Sequence, residues 1–123
     1  MVVMNGKILV AEDDSAIIEV MKIILEDAHY EVFTADSSNG ILSIINEHQP
    51  HILLLDIWLS GENGGDIAKM IRSNEKTKTL PIVMISANNE IEQIAKEVGA
   101  AGFLQKPFMI EDLLATVKKH LHV

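Results

Sequence analysis

Cysteine is absent from the 123 residues. That excludes disulfides, thiolate metal sites and a cysteine nucleophile, and makes a reducing cytoplasm the expected compartment. Basic residues are scarce, ten against eighteen acidic, and the resulting net charge of −8 argues against a nucleic-acid surface. It favours solubility, or partners that present cations. Long apolar runs are missing too: none approaches the ~18 residues of a membrane span. The stretch from Met1 to Lys7 lacks the apolar segment of a signal peptide, so neither membrane nor secretion is expected. The five histidines are scattered. His120 and His122 lack the i, i+4 spacing of a helical metal pair, and all five read as solvated surface.

What is present is a hydrophobic content of 48%, enough for one domain with a proper core over residues 1–123. The chain alternates two periodicities. Lys7 to Ala11 is a short apolar run, cut off by Glu12-Asp13-Asp14-Ser15, after which Ile17, Met21, Ile24, Leu25 and Ala28 recur at helical spacing. Glu31 to Ala35 reads as a second strand, and Asp36-Ser37-Ser38 caps a helix with Ile41, Leu42 and Ile45 on one face. The central run His51-Ile52-Leu53-Leu54-Leu55-Asp56 opens after Pro50, is continuously apolar, and ends in a carboxylate before Gly61, Gly64 and Gly65. Such a run suits a strand buried on both faces in a parallel sheet.

A short helix with Ile67, Met70 and Ile71 follows, then a fourth strand over Leu80 to Ile85 that ends in Ser86-Ala87, with Pro81 tolerated at its start. Asn89 with Glu92 opens a fourth helix striped by Ile91, Ile94, Ala95 and Val98 and stopped at Gly99. Ala101 to Gln105 is the fifth strand. The last helix carries Ile110, Leu113, Leu114, Val117 and Leu121, with Glu111 and Asp112 in its first turn and Lys118 and Lys119 in its last. Five strands alternating with five helices predict an α/β doubly wound parallel sheet; right-handed crossovers leave few strand orders, and of these the flavodoxin-like 2-1-3-4-5 is the one chosen. That order brings the loops after strands 1, 3, 4 and 5 to one rim, and with them Glu12, Asp13, Asp56, Ser86 and Lys106.

Carboxylates meeting at a sheet mouth repel one another unless a cation neutralises them, and Mg²⁺ suits a site of one or two carboxylates with room for water and a phosphoryl oxygen. With Lys106 beside it, such a site holds the charge that spreads over a transferring phosphoryl group, and Asp56 is placed to be its nucleophile. Each residue also has a plainer reading. Glu12, Asp13 and Asp14 also read as helix N-terminal acids, the preferred reading for Asp14 alone; the plainer reading of Ser86 is a strand-end turn residue and that of Lys106 before Pro107 a loop, while Phe103 is by default core.

The constellation resembles the response regulator receiver domain of bacterial two-component signalling, chemotaxis-regulator-like, over Lys7 to Leu121. The matching pieces are Lys7-Ile8-Leu9-Val10-Ala11-Glu12-Asp13-Asp14, Leu53-Leu54-Leu55-Asp56-Ile57-Trp58-Leu59, Gly64, Pro81-Ile82-Val83-Met84-Ile85-Ser86-Ala87, Gly99-Ala100 and Lys106-Pro107-Phe108. The resemblance implies a flavodoxin-like (βα)5 fold and a phosphoacceptor switch rather than a turnover enzyme. It implies Asp56 as phosphoacceptor, with Mg²⁺ held by Glu12, Asp13, Asp56 and the backbone carbonyl of Trp58. Lys106 would pair with the phosphoryl group or with Asp56, Ser86 and Phe103 would form the switch pair, and Lys106-Pro107 would be a cis peptide. The implied partners are a histidine kinase or histidine phosphotransfer protein and a downstream protein, with no nucleic acid bound directly.

Three departures from the family pattern stand out. Ser60 replaces the usual proline, which predicts a looser loop after Asp56. Phe103 lacks the hydroxyl of the more frequent tyrosine, and the stretch from Ser86 to Phe103 is short, which bears on the length and start of the fourth helix. Two alternative readings fit the residues less well. A flavin or nucleotide-binding module on the same fold would be repelled by Glu12-Asp13-Asp14, and a degenerate receiver serving only as a scaffold would lack one of the acids, the phosphoacceptor or the lysine.

Overall fold

Leu53, Leu54 and Leu55 are wholly buried, and the fold is the arrangement that covers both sides of them. The computed structural model describes residues 4–121. Five strands, β1 (Gly6–Ala11), β2 (Tyr30–Ala35), β3 (Ile52–Asp56), β4 (Ile82–Ser86) and β5 (Gly102–Gln105), form one sheet in the order β2-β1-β3-β4-β5. All four pairings are parallel. The helices are α1 (Ser15–Asp27), α2 (Ser38–His48), α3 (Gly64–Ser73), α4 (Ile91–Glu97) and α5 (Ile110–His120). The expected strand order is therefore the observed one.

The period-two alternation of each strand divides the core. Leu9, Leu53, Leu55 and Met84 pack with Ile41 and Ile45 of α2, Ile67 and Ile71 of α3, and Ile91 and Ala95 of α4. On the other face Ile8, Val10, Leu54, Val83 and Ile85 pack with Met21 and Leu25 of α1 and Leu113 and Val117 of α5. Three helices thus cover one face and two the other. Among the described residues no helix is long and apolar enough to cross a membrane.

Several local expectations need correction. Met70 is exposed, because Ile67, Ala68 and Ile71 define the inward arc of α3 and position 70 lies beyond its edge. Ile110 stands in the first turn of α5 and is likewise exposed. The fourth helix begins at Ile91, and its entry turn is closed by Asn88, whose Oδ1 accepts from the Glu90 amide at 2.7 Å. Asn89 instead receives a bond from the Gln105 amide. The histidines are not uniformly solvated: His48 stacks on Phe33 with ring centroids 4.3 Å apart, and His51 Nδ1 accepts from the Lys7 amide at 2.9 Å. His120 is half-buried, and His122 lies outside the described residues.

One expectation failed in an instructive direction. The segment after Asp56 is not loose: Trp58–Leu59 and Glu62–Asn63 pair as a short antiparallel ribbon. Ser60 and Gly61 at its tip have φ of 49° and 83°, the pair of positive values that a type I′ two-residue turn demands. Proline, fixed near φ −65°, cannot stand there.

The ribbon leads into α3 at Gly64, where Asn63 is the N-cap and accepts from the Gly65 amide at 2.7 Å. A side chain at Gly64 would collide with the Asp56 carbonyl and approach Ile57 Cα to 2.9 Å, both of them backbone atoms that cannot step aside. Gly64→Ala is therefore expected to destabilise the chain by about 2–3 kcal/mol through forced backbone displacement. Urea denaturation checks this, and an unchanged midpoint would contradict the close approach.

Candidate functional site

Parallel strands place their carboxyl ends along one rim, and here four of them deliver chemistry to it. Glu12 and Asp13 follow β1, Asp56 ends β3, Ser86 ends β4, and Lys106 follows β5. Lys106 is carried by a cis Lys106-Pro107 bond, as the resemblance implies. Its Nζ donates to Asp56 Oδ2 at 2.7 Å and to Glu12 Oε2 at 3.1 Å. One ammonium group thus bridges two buried carboxylates, Glu12 being 3% exposed and Asp56 8%. The second oxygen of each is also engaged. Asp56 Oδ1 accepts from the Trp58 amide at 2.9 Å, and Glu12 Oε1 from the Asp14 amide at 3.2 Å.

The two acids respond oppositely. Burial pushes the Glu12 carboxyl up to about 7, with Asp56 reinforcing the rise and Lys106 opposing it. For Asp56 burial acts in the same upward direction, yet hydrogen bonds from Glu12, Lys106 and the Trp58 amide outweigh it and hold the carboxyl below its usual range. Burial disfavours the charge on Lys106, but its bonds to Asp56 and Glu12 prevail and keep it above the usual lysine value. Asp56 is therefore the anionic member of the pair, and Glu12 the one that retains a proton into the neutral range.

Asp13 stands apart at the surface, where its Oδ2 accepts from the Ser60 amide at 2.9 Å. Asp14 takes the role expected of it, capping α1 through bonds from the Ala16 and Ile17 amides. Ser86 is half-buried, and its Oγ accepts from the Asn88 amide at 3.0 Å, a local turn bond that leaves the hydroxyl proton to donate elsewhere. Phe103 is not core. It lies opposite Met84 on the edge strand β5, where no further strand covers it, and is 39% exposed.

Among the described residues no three acids or histidines close into a metal cage. Mg²⁺ does not require one, because it keeps most of its waters and takes one or two carboxylates. The donor set fits that demand. Glu12, Asp13 and Asp56 supply hard oxygens and up to three negative charges against the single ammonium of Lys106, an excess suited to a divalent cation. Of this region's residues Glu62 carries no signal of its own in the sequence, and Ser60 is visible there only as a departure from the usual proline, not as a partner of Asp13. The one local signal of their turn is the Ser60-Gly61 pair between Leu59 and Glu62, a weak turn dipeptide.

A model of the response regulator receiver domain matches residues 8–118. A solved chain from Chloroflexus aurantiacus, assigned as a response regulator, is similar at 33% identity and TM-score 0.87, over 93% of this chain and 95% of that one. The chemotaxis response regulator CheY4 of Vibrio cholerae is 31% identical at TM-score 0.86, with 95% and 98% of the two chains covered. The receiver domain of the sensor histidine kinase PA1611 from Pseudomonas aeruginosa, solved with a magnesium ion coordinated in its active-site cleft, matches at TM-score 0.84. At 21% identity over 94% and 96% of the two chains, it bears on the fold alone. The chain belongs to the response regulator receiver domain family of two-component signalling.

Proposed function

We propose that this receiver domain accepts a phosphoryl group on Asp56 from a phosphohistidine protein in a Mg²⁺-dependent reaction and signals by a change of surface, in the cytoplasm. The observation that carries the reading is the bridge from Lys106 Nζ to Asp56 Oδ2 at 2.7 Å beside a second buried acid. It keeps Asp56 anionic, which a carboxylate nucleophile must be. In the reaction an Asp56 oxygen forms a bond to phosphorus as the phosphorus–nitrogen bond of the donor breaks, and the departing imidazole keeps the electron pair. Lys106 is placed to turn from the carboxylate to the phosphoryl oxygens, and the Trp58 amide holds the other Asp56 oxygen throughout.

Glu12, Asp13, Asp56 and the Trp58 carbonyl are the groups that would hold Mg²⁺. Bound there, the ion supplies neutralisation of the carboxylates and of the incoming phosphoryl oxygens. An apolar trough of about 460 Å³, lined by Ile17, Val20, Met21, Lys106, Pro107 and Phe108, would be the surface that a donor protein meets beside the site. The domain supports its own phosphorylation chemistry but is a switch rather than a turnover enzyme. The test is incubation with a small phosphodonor and Mg²⁺ followed by intact mass, which is expected to show a gain of one phosphoryl group.

Mg²⁺ alone is expected to change the emission of Trp58, the single tryptophan, whose side chain is 63% exposed two residues from Asp56. Asp13→Ala should abolish the response. Emission that stays flat during titration of the native chain counts against the metal site.

The switch reading pairs Ser86 with Phe103. Ser86 would give up its bond from the Asn88 amide to donate to the new phosphoryl oxygens, and Phe103 would move inward from the edge of β5, altering the face formed by α4, β5 and α5. Ser86→Ala should still be labelled on Asp56 while losing most of the amide shift changes around Phe103 that a phosphoryl mimic with Mg²⁺ produces. A native shift pattern in that variant would remove the hydroxyl from the coupling.

A further inference from the structure

The ribbon after β3 grips one acid of the site by its backbone and grips a distant helix by a side chain. At its tip the Ser60 N–H donates to Asp13 Oδ2 at 2.9 Å. Its frame is fixed on both sides. Leu59, which opens the turn, is wholly buried, and Glu62, paired with it across the ribbon, reaches the first turn of α2. There the Glu62 carboxylate accepts from the Ser38 amide at 2.8 Å and from the Ser38 hydroxyl at 2.7 Å. The amide is one that the helix itself leaves without a partner, so the contact caps α2 from outside. The Ser37 side chain serves the Gly40 amide of the same turn. Both Ser38 bonds hold the Glu62 carboxyl below its usual range.

We propose that the Ser60 backbone N–H is a positioning group for Asp13, and that the Glu62–Ser38 clamp on α2 sets it. The clamp holds the ribbon, the ribbon aims the amide, and the amide fixes one Asp13 oxygen so that the other is left for a magnesium ion. The inference rests on the proposed reading of Asp13 as a metal ligand. Serine at position 60 is what allows the arrangement: it supplies an N–H that proline lacks, in a left-handed conformation that proline cannot take. Hydrogen-bond partners of ligating carboxylates commonly control metal affinity by about 10- to 100-fold. A clamp that acts one step further out should fall near the lower limit.

The probe is Mg²⁺ alone, titrated into the full chain and followed by Trp58 emission and by calorimetry, with the Ser60 amide resonance recorded before metal is added. Glu62→Ala is expected to weaken Mg²⁺ binding about tenfold and to move the Ser60 amide proton upfield in metal-free protein. Ser38→Ala, a milder change that keeps the backbone bond, should do the same to a smaller degree and covers the case in which Glu62→Ala folds poorly. Ser60→Gly keeps both the N–H and the positive φ and should stay within about twofold of native affinity. In an Asp13→Asn background, where the charge-assisted bond is already weakened, Glu62→Ala should move the Ser60 amide resonance less than it does in the native chain, whereas a purely structural ribbon would lower stability without this dependence. Native affinity in both Glu62→Ala and Ser38→Ala, or a Ser60 amide resonance indifferent to Asp13→Asn, overturns the inference while leaving the metal site intact. A native chain that shows no Mg²⁺ response by either readout removes the inference together with the site reading.

Discussion

Asp56→Asn is expected to abolish the gain of one phosphoryl mass on incubation with a small phosphodonor and Mg²⁺. The physical basis is narrow. Asp56 is buried, yet it is held in its charged form by Lys106 and by the Trp58 amide, and the amide of asparagine offers no comparable nucleophile. The substitution is nearly isosteric, so the fold should persist. Oδ1 of the asparagine can keep the bond from Trp58, but its amide nitrogen then faces the Lys106 ammonium, donor to donor, so that contact is lost and Lys106 keeps Glu12 as its partner. Loss of labelling in a chain that still melts cooperatively is therefore the expected pair of results. Labelling at native stoichiometry in this variant would falsify the assignment of Asp56 and send the search to Asp13, the exposed acid of the same rim.

The second large effect concerns pH and the cation together. Glu12 has its carboxyl raised from 4.5 to about 7 by burial, so between these values the folded chain binds more protons than the unfolded one. Stability of the metal-free protein must then fall as pH rises through that window, by on the order of 2–3 kcal/mol at ~1.4 kcal/mol per pH unit of displacement. Asp56, lowered from 3.8, acts in the opposite sense: its contribution is present above that value and is lost only in stronger acid.

Urea denaturation at pH 4.5 and 8 without metal should show the loss, and Mg²⁺ at pH 8 should restore much of it by neutralising the ionised pair. Glu12→Gln, which carries no titrating proton, should flatten the pH dependence and weaken the Mg²⁺ effect. Native and Glu12→Gln curves that run parallel across this window would show that Glu12 is not the group responsible.

Much of this molecule was legible before its coordinates were. The five strands and five helices follow from alternating periodicities and from one uninterrupted run, Ile52 to Leu55, suited to a strand covered on both sides, whereas the strand order is legible only through the few arrangements that right-handed crossovers leave and through the family resemblance. The acids and the lysine were legible because each ends a strand, and parallel strands end on the same rim. Where the reading failed, geometry overrode residue type. Phe103 has a side chain suited to a core, but an edge strand has no neighbour to bury it. Ser60 was read through the proline it replaces, when what decides its loop is a pair of positive φ values at Ser60 and Gly61. The clamp from Glu62 to Ser38 spans 24 positions between two polar residues. No local pattern marks a contact of that kind.

The ammonium of Lys106, lodged between Glu12 and Asp56, has a bearing on how the domain is supplied and maintained in a cell. Many small metalloproteins are assembled by their ion and come apart when a chelator takes it. Here the chain carries its own counterion, so the mouth of the sheet can close during synthesis whether or not a divalent cation is at hand. If the site holds magnesium as proposed, folding and signalling draw on different resources: the first on a lysine fixed in the polypeptide, the second on an ion whose concentration varies. On the proposed reading, a fall in free magnesium would silence such a domain at the cost of part of its stability above pH 7 rather than of its fold, and its return would restore the response with no need for new protein.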